Sequence, residues 1–221
     1  MRTILFLLIC AGAMQAQPRP EIIPLSDFGT SGLWKSQPDL SSATRWELNL
    51  KESKLLWSGR PIAGNGHEGT LQFLSGSITT SATGQINQGD LVVDMHSLKN
   101  TDMQPDDGGI DLETHLKGDD FFSVAKYPQA KFKITAIAND KAVGRVKVFG
   151  LLTIKGITNA VEFSGTLNTQ KESILVKGEL TIDRTQWGVN HQSNSVFKSL
   201  KDGVISDEVK ITLDLKFFAG C

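Results

Sequence analysis

The sequence predicts an all-β protein built from antiparallel strands. Three observations point to this. Apolar and polar residues alternate over long stretches, turn-forming residues separate those stretches, and the intervals are too short for parallel crossovers. In the C-terminal stretch Val209, Ile211, Leu213, Leu215 and Phe217 alternate with Lys210, Thr212, Asp214 and Lys216. A helix would scatter those apolar residues around its circumference, whereas a strand places them on one face.

The first residues read as a signal peptide over residues 1–16. Arg2 supplies the positive charge, Ile4 to Cys10 is an unbroken apolar run, and Ala11, Gly12, Ala13 and Ala16 are small. That order matches an export signal with cleavage after residue 13 or 16. The run is far shorter than the roughly 20 residues of a spanning helix. The large Ile9 before Cys10 argues against lipidation. Removal of the signal takes Cys10 with it and leaves Cys221 without an intrachain partner.

Residues 17–43 form a proline-rich arm, carrying Pro18, Pro20, Pro24 and Pro38 with no apolar period. From Thr44 the alternation begins, and the main domain is expected over 44–221. Leu91, Val93 and Met95 form one apolar face. So do Ala130, Phe132, Ile134 and Ala136, then Val161, Phe163 and Leu167, then Ile174, Val176, Leu180 and Ile182. Asn65-Gly66, Gly84, Asn87 to Gly89, Asn139-Asp140 and Lys155-Gly156 supply reversals between strands. The count is about eight to ten strands. Two segments break the rhythm. Residues 109–118 read as a short helix, with Asp111 and Glu113 near its start and Lys117 before a terminal glycine. Residues 185–203 are polar and contain glycine. Alternation alone fits a sandwich and a barrel equally, although only closure removes the sheet edges.

Composition excludes several functions. The formal net charge is −1 and no basic cluster stands out, so nothing drives binding to nucleic acid. No segment beyond the leader is long and apolar enough to be a transmembrane helix. The four histidines, His67, His96, His115 and His191, lack a metal-ligand spacing, so no metal centre is expected. No nucleophile elbow or phosphate loop is present. Asp102, Gln104, Asp106 and Glu113 sit at four positions of a calcium hand, but Asp107 stands where that loop needs glycine. A polar loop leading into the short helix explains the same residues.

The most specific signal lies between residues 115 and 132. His115-Leu116, Asp120-Phe121-Phe122, Lys126-Tyr127-Pro128 and Phe132 resemble the signature of the YceI-like family. Gly150 to Thr158, with its Leu-Thr and Lys-Gly pairs, is similar to the family's hairpin. Ile182-Asp183-Arg184 with Trp187-Gly188, and His67 to Phe73 ahead of Ser75 to Ile78, resemble two further family segments. These motifs follow the family's order and cover about residues 44–218. The arm at 17–43 and the loop Met103 to Gly109 lie outside them.

The resemblance implies a closed antiparallel β-barrel of extended lipocalin-like form, with the short helix near 109–118. It also implies a non-catalytic, cofactor-free role: holding a polyisoprenoid or fatty-acid-like lipid inside the barrel, for carriage, storage or stress response in the cell envelope. The chain is then exported, to the periplasm or beyond, and homodimers are common among proteins with such a cavity. Trp57, Phe73, Phe121, Phe122, Tyr127, Phe132, Phe163 and Trp187 are the cavity candidates, because aromatic rings offer large apolar area. His67, His115 and Arg184 are the head-group candidates. Core packing and structural hydrogen bonds explain the same residues without a ligand. Two other classes remain open at this point. One is a filled barrel acting on a partner protein through its surface, and the other is an enzyme using the cavity.

Overall fold

The computed structural model describes residues 43–62, 64–140, 142–193, 195–196 and 204–220. The expected signal peptide, the arm up to residue 42 and Cys221 lie outside them. Among the described residues the alternating stretches become nine strands: β1 (Thr44–Leu48), β2 (Lys54–Pro61), β3 (His67–Thr80), β4 (Ile86–Asn100), β5 (Gln129–Asn139), β6 (Arg145–Ile154), β7 (Ile157–Thr169), β8 (Ser173–Asp183) and β9 (Ile205–Ala219). One helix, α1 (Gly109–Lys117), lies between β4 and β5. Gly118 ends it, its N–H donating to the carbonyls of Thr114 and His115.

All pairings are antiparallel. The sheet runs β3-β2-β9-β8-β7-β6-β5-β4, and β4 returns to β3, which closes the barrel. The strands β1 and β2 are two halves of a single stave. Both run antiparallel to β3 and to β9, β2 against Gly69 and Leu213 and β1 against Ile78 and Phe217. The turn between them, from Asn49 to Ser53, is closed by the Ser53 N–H donating to the Asn49 carbonyl at 2.9 Å. The result is a closed eight-stave barrel without a free edge, which removes the hazard of an unpaired strand.

Turn chemistry sets several registers. In the β6–β7 hairpin Ile154 faces Ile157, leaving a two-residue loop. Lys155 and Gly156 have φ of 49° and 74°, the left-handed pair of a type I′ turn. In β5 the alternation is not continuous. A register shift between Ile134 and Ala136 reverses the phase. Ala136, expected on the inner face with Ala130 and Phe132, is exposed, and Ile137 packs against the core instead. One extra residue is enough to flip every later side chain to the other face.

The interior is built in two unequal parts. At the end formed by β1 and the close of β9, Ile78, Ile174 and Phe217 are buried to within 1% of full exclusion from solvent. The gaps left among their neighbours total about 20 Å³, the close packing expected of a protein core. The other end, where β2 and β8 finish and β3 and β9 begin, is not filled.

Candidate functional site: an apolar cavity

Inward-facing strand positions at the α1 end enclose a cavity of about 450 Å³. That volume falls in the usual range for small-molecule sites. The walls are largely aliphatic and aromatic. They include Leu55 and Trp57 from β2, Phe73 from β3, Val93, Met95 and Leu98 from β4, and Leu180 and Ile182 from β8. Leu112 and Leu116 of α1, with Phe121 and Phe122 just after it, complete the lining. A filled barrel does not describe this interior.

The floor is formed by two phenylalanines together with Leu91 and Leu213. Phe132 and Phe163 line both the cavity and the small void beyond it. Their ring centroids are 5.9 Å apart at an interplanar angle of 50°. Gly150 gives Phe132 its room: a Cβ there would stand 2.3 Å from the ring. Gly178 does the same for Phe163, at 2.6 Å.

Seven of the aromatic candidates line the cavity: Trp57, Phe73, Phe121, Phe122, Phe132, Phe163 and Trp187. Tyr127 does not. Its ring lies over Gly156 at the β6–β7 turn, where a Cβ would meet it at 3.1 Å, and it belongs to the outer packing of that hairpin. Trp187 is buried, and its indole N–H donates to the Leu152 carbonyl at 3.0 Å. The Trp57 N–H is buried without a partner among the described residues.

The polar residues on the wall gather at the α1 end. Arg60, His67, Arg184, Gln192 and Ser206 are among them. Arg184 is only 3% exposed. Its Nε donates to the Ser206 carbonyl at 3.0 Å, Nη1 to Val189 at 2.8 Å and Nη2 to Ile205 at 3.1 Å. Nη2 also lies 3.3 Å from the Asp207 carboxylate. Burial lowers the guanidinium from its ordinary value, while Asp207 and Asp183 oppose that shift. With its nitrogens committed to carbonyls, Arg184 clasps the segment after β8 onto the start of β9. That geometry gives it a structural role rather than a free head-group contact.

His67 is half-exposed and Nδ1 sits 3.0 Å from the Asp102 carboxylate. Burial pushes the Asp102 carboxyl up, but hydrogen bonds from the Glu68 N–H, His67 and Asn100 outweigh it. They hold the group below the usual aspartate value. Glu113 accepts from the Asn100 N–H at 3.0 Å. Two of the calcium-hand look-alikes therefore brace the loop between β4 and α1.

His115 is absent from the cavity wall. It lies outside, 3.3 Å from Asp120 and edge-on to Phe121 with centroids 5.0 Å apart. Leu112 and Leu116 were not anticipated as wall residues. Their i, i+4 spacing on one helix face is the signal that would have found them. Arg60 carried no such signal, since a single exposed arginine near a strand end is ordinary.

The chain matches the family model described as "YceI-like domain" over residues 46–217. A UPF0312 protein of Staphylococcus aureus (strain USA300) is 39% identical over 85 residues, which cover 35% of this chain and 46% of that relative's length. The chain therefore spans about half the length of the curated relatives it matches. Among solved structures, BcnA of Burkholderia cenocepacia superposes with a TM-score of 0.61 at 24% identity, covering 76% of this chain and 98% of that one. A polyisoprenoid binding domain from Saccharophagus degradans, implicated in plant cell wall breakdown, gives 0.56 at 20% identity, covering 79% and 98%. At such identities both likenesses concern the fold.

Proposed function

The chain belongs to the YceI-like family, and from that premise we propose that it holds a long-chain hydrophobic molecule, of the polyisoprenoid or fatty-acyl kind, without transforming it. The single observation that carries this reading is the apolar cavity of about 450 Å³ closed off by the Phe132–Phe163 floor. A tail lying there gains roughly 0.8 kcal/mol per buried methylene. Polar contacts are then needed mainly at one end of the ligand. In this reading His67 and Arg60 meet the head group, and Trp57, Phe73, Phe121, Phe122 and Trp187, which line the cavity, meet the tail. No carboxylate stands among the described residues lining the cavity, and its histidine, His67, is held against Asp102 at the α1 end. The name of the Saccharophagus degradans neighbour agrees with this ligand class. Export by the N-terminal leader, residence in the cell envelope as carrier or store, and pairing into a homodimer belong to the same proposal.

The test is native mass spectrometry and organic extraction of freshly purified protein. A stoichiometric long-chain lipid is expected. Leu180→Trp, which fills the cavity from the β8 wall, is expected to lose the lipid while remaining folded. Repeated recovery of empty wild-type protein, together with no displaceable binding of a fluorescent long-chain probe, would overturn the reading.

A further inference from the structure

Outside the cavity wall, two histidines and an aspartate from distant parts of the chain converge. His115 is in the last turn of α1. Asp120 lies in the tight reversal that follows, where the N–H groups of Phe121 and Ser123 donate to the Gly118 carbonyl and that of Val124 to Lys117. His191 comes from the segment after β8, which is anchored by the buried Val189 and by the Arg184 bond to the Val189 carbonyl. Ligating atoms of the three side chains all lie within 4.8 Å of one another.

We propose that His115, Asp120 and His191 form a binding site for a divalent transition-metal ion of the zinc or copper type, beside the α1 end of the cavity. The His115–Asp120 contact has the length of a weak hydrogen bond, and the spacing of the three side chains also suits ligation of one ion. His115 Nε2 is 3.3 Å from Asp120 Oδ2, and His191 Nδ1 is 4.0 Å from the same oxygen. The first is long for a charge-assisted hydrogen bond and the second is beyond one. Two ligands each about 2.0–2.2 Å from a tetrahedral centre stand a little over 3 Å apart, so a small closing movement of His191 completes the geometry. The donor set selects the ion: two imidazoles and one carboxylate suit zinc or copper and are a poor match for calcium or magnesium. The side chains are 47%, 64% and 25% exposed for His115, Asp120 and His191, so an ion can reach them and water can complete its shell.

The rings are already positioned. Phe121 lies 5.0 Å from the centroid of each imidazole, and the two imidazoles are 4.9 Å apart and nearly perpendicular. The same Phe121 ring lines the cavity. A bound ion would tie the reversal after α1 to the segment after β8 across this ring, and would fix the cavity end that Phe121 covers.

The experiment uses the full chain without a polyhistidine tag and with its thiols alkylated. Zinc is titrated against a chromogenic chelator. One equivalent is expected to bind. His191→Ala and Asp120→Asn are each expected to weaken it about tenfold or more, and His96→Ala to leave it unchanged. In parallel, imidazole resonances of wild-type protein are followed by NMR. Those of His115 and His191 are expected to shift to completion at one equivalent, ahead of His67 and His96. Absence of saturable one-equivalent binding would overturn the site. So would equal affinity in folded His191→Ala protein, or resonance shifts confined to His67 and His96.

Discussion

Phe132 of β5 and Phe163 of β7 meet over the intervening strand β6 with ring centroids 5.9 Å apart, and the pair stands between an open half of the interior and a packed one. The depth of the cavity is therefore set by side chains, this pair together with Leu91 and Leu213, rather than by the length of the barrel. Phe163→Ala should join the cavity to the void beyond it. The expected cost is about 3–5 kcal/mol, read as a shift in the urea midpoint. A longer-chain probe should gain affinity relative to a shorter one in this variant. An unchanged chain-length preference would show that the pair does not limit the ligand.

Gly150 is the counterpart of that contact. Gly150→Ala places a methyl 2.3 Å from the Phe132 ring, so the ring or the strand must move. Overpacking of this kind costs about 1–3 kcal/mol. Phe132→Leu alone loses buried ring area, but in combination with Gly150→Ala it removes the clash. Urea unfolding of both single variants and the double variant should show the pair costing less than the sum. Simple additivity would mean that the two sites relax independently.

Arg184 should behave as a clasp. Arg184→Met strands the Asp207 carboxylate and leaves the carbonyls of Val189, Ile205 and Ser206 without their donors. The expected loss is roughly 3–5 kcal/mol. Arg184→Lys should recover only part of it, because an ammonium cannot fork to three carbonyls. Equal stability of the lysine variant and the wild type would remove the clasp from the account.

Asp102 predicts a definite pH dependence. Its carboxyl is held below the ordinary value near 3.8, so its contribution to stability is complete above that value and is lost as pH falls through the lower, folded one. Asp102→Asn should cost about 1 kcal/mol at neutral pH. The gap between variant and wild type should begin to close as pH falls below 3.8. Denaturant titrations at pH 7 and pH 3 check this, and a gap that widens in acid would reverse the assignment.

Much of the barrel was legible because its signal is periodic. The stretch from Val209 to Phe217 places Leu213, Leu215 and Phe217 in the core, with Val209 and Ile211 on the cavity wall. The short helix and its glycine stop stand at the expected residues. What periodicity cannot carry is a register slip, and the shift after Ile134 reversed the face of Ala136 for that reason. Nor can it separate a wall residue from one a few ångströms outside, which is why Tyr127 and His115 stood beside Phe121 and Phe122 as equals. The meeting of His115 with His191 was invisible on other grounds. It depends on the reversal at Gly118 and the turn after β8 finishing side by side, and no spacing along the chain encodes that.

The split stave has a consequence for the order of events in the life of the molecule. Its two halves, β1 and β2, pair with β9, so Lys54 meets Asp214 and Trp46 meets Ala219. Among the described residues, the first and last strands in chain order form the seam. Until the final strand arrives, the half-built sheet has two open flanks and no enclosed space at all. The enclosed cavity thus exists only once β9 has paired with β1 and β2. Seams between such distant residues are also slow to form, which leaves an interval in which the greasy inner face is on view to whatever molecule is nearest.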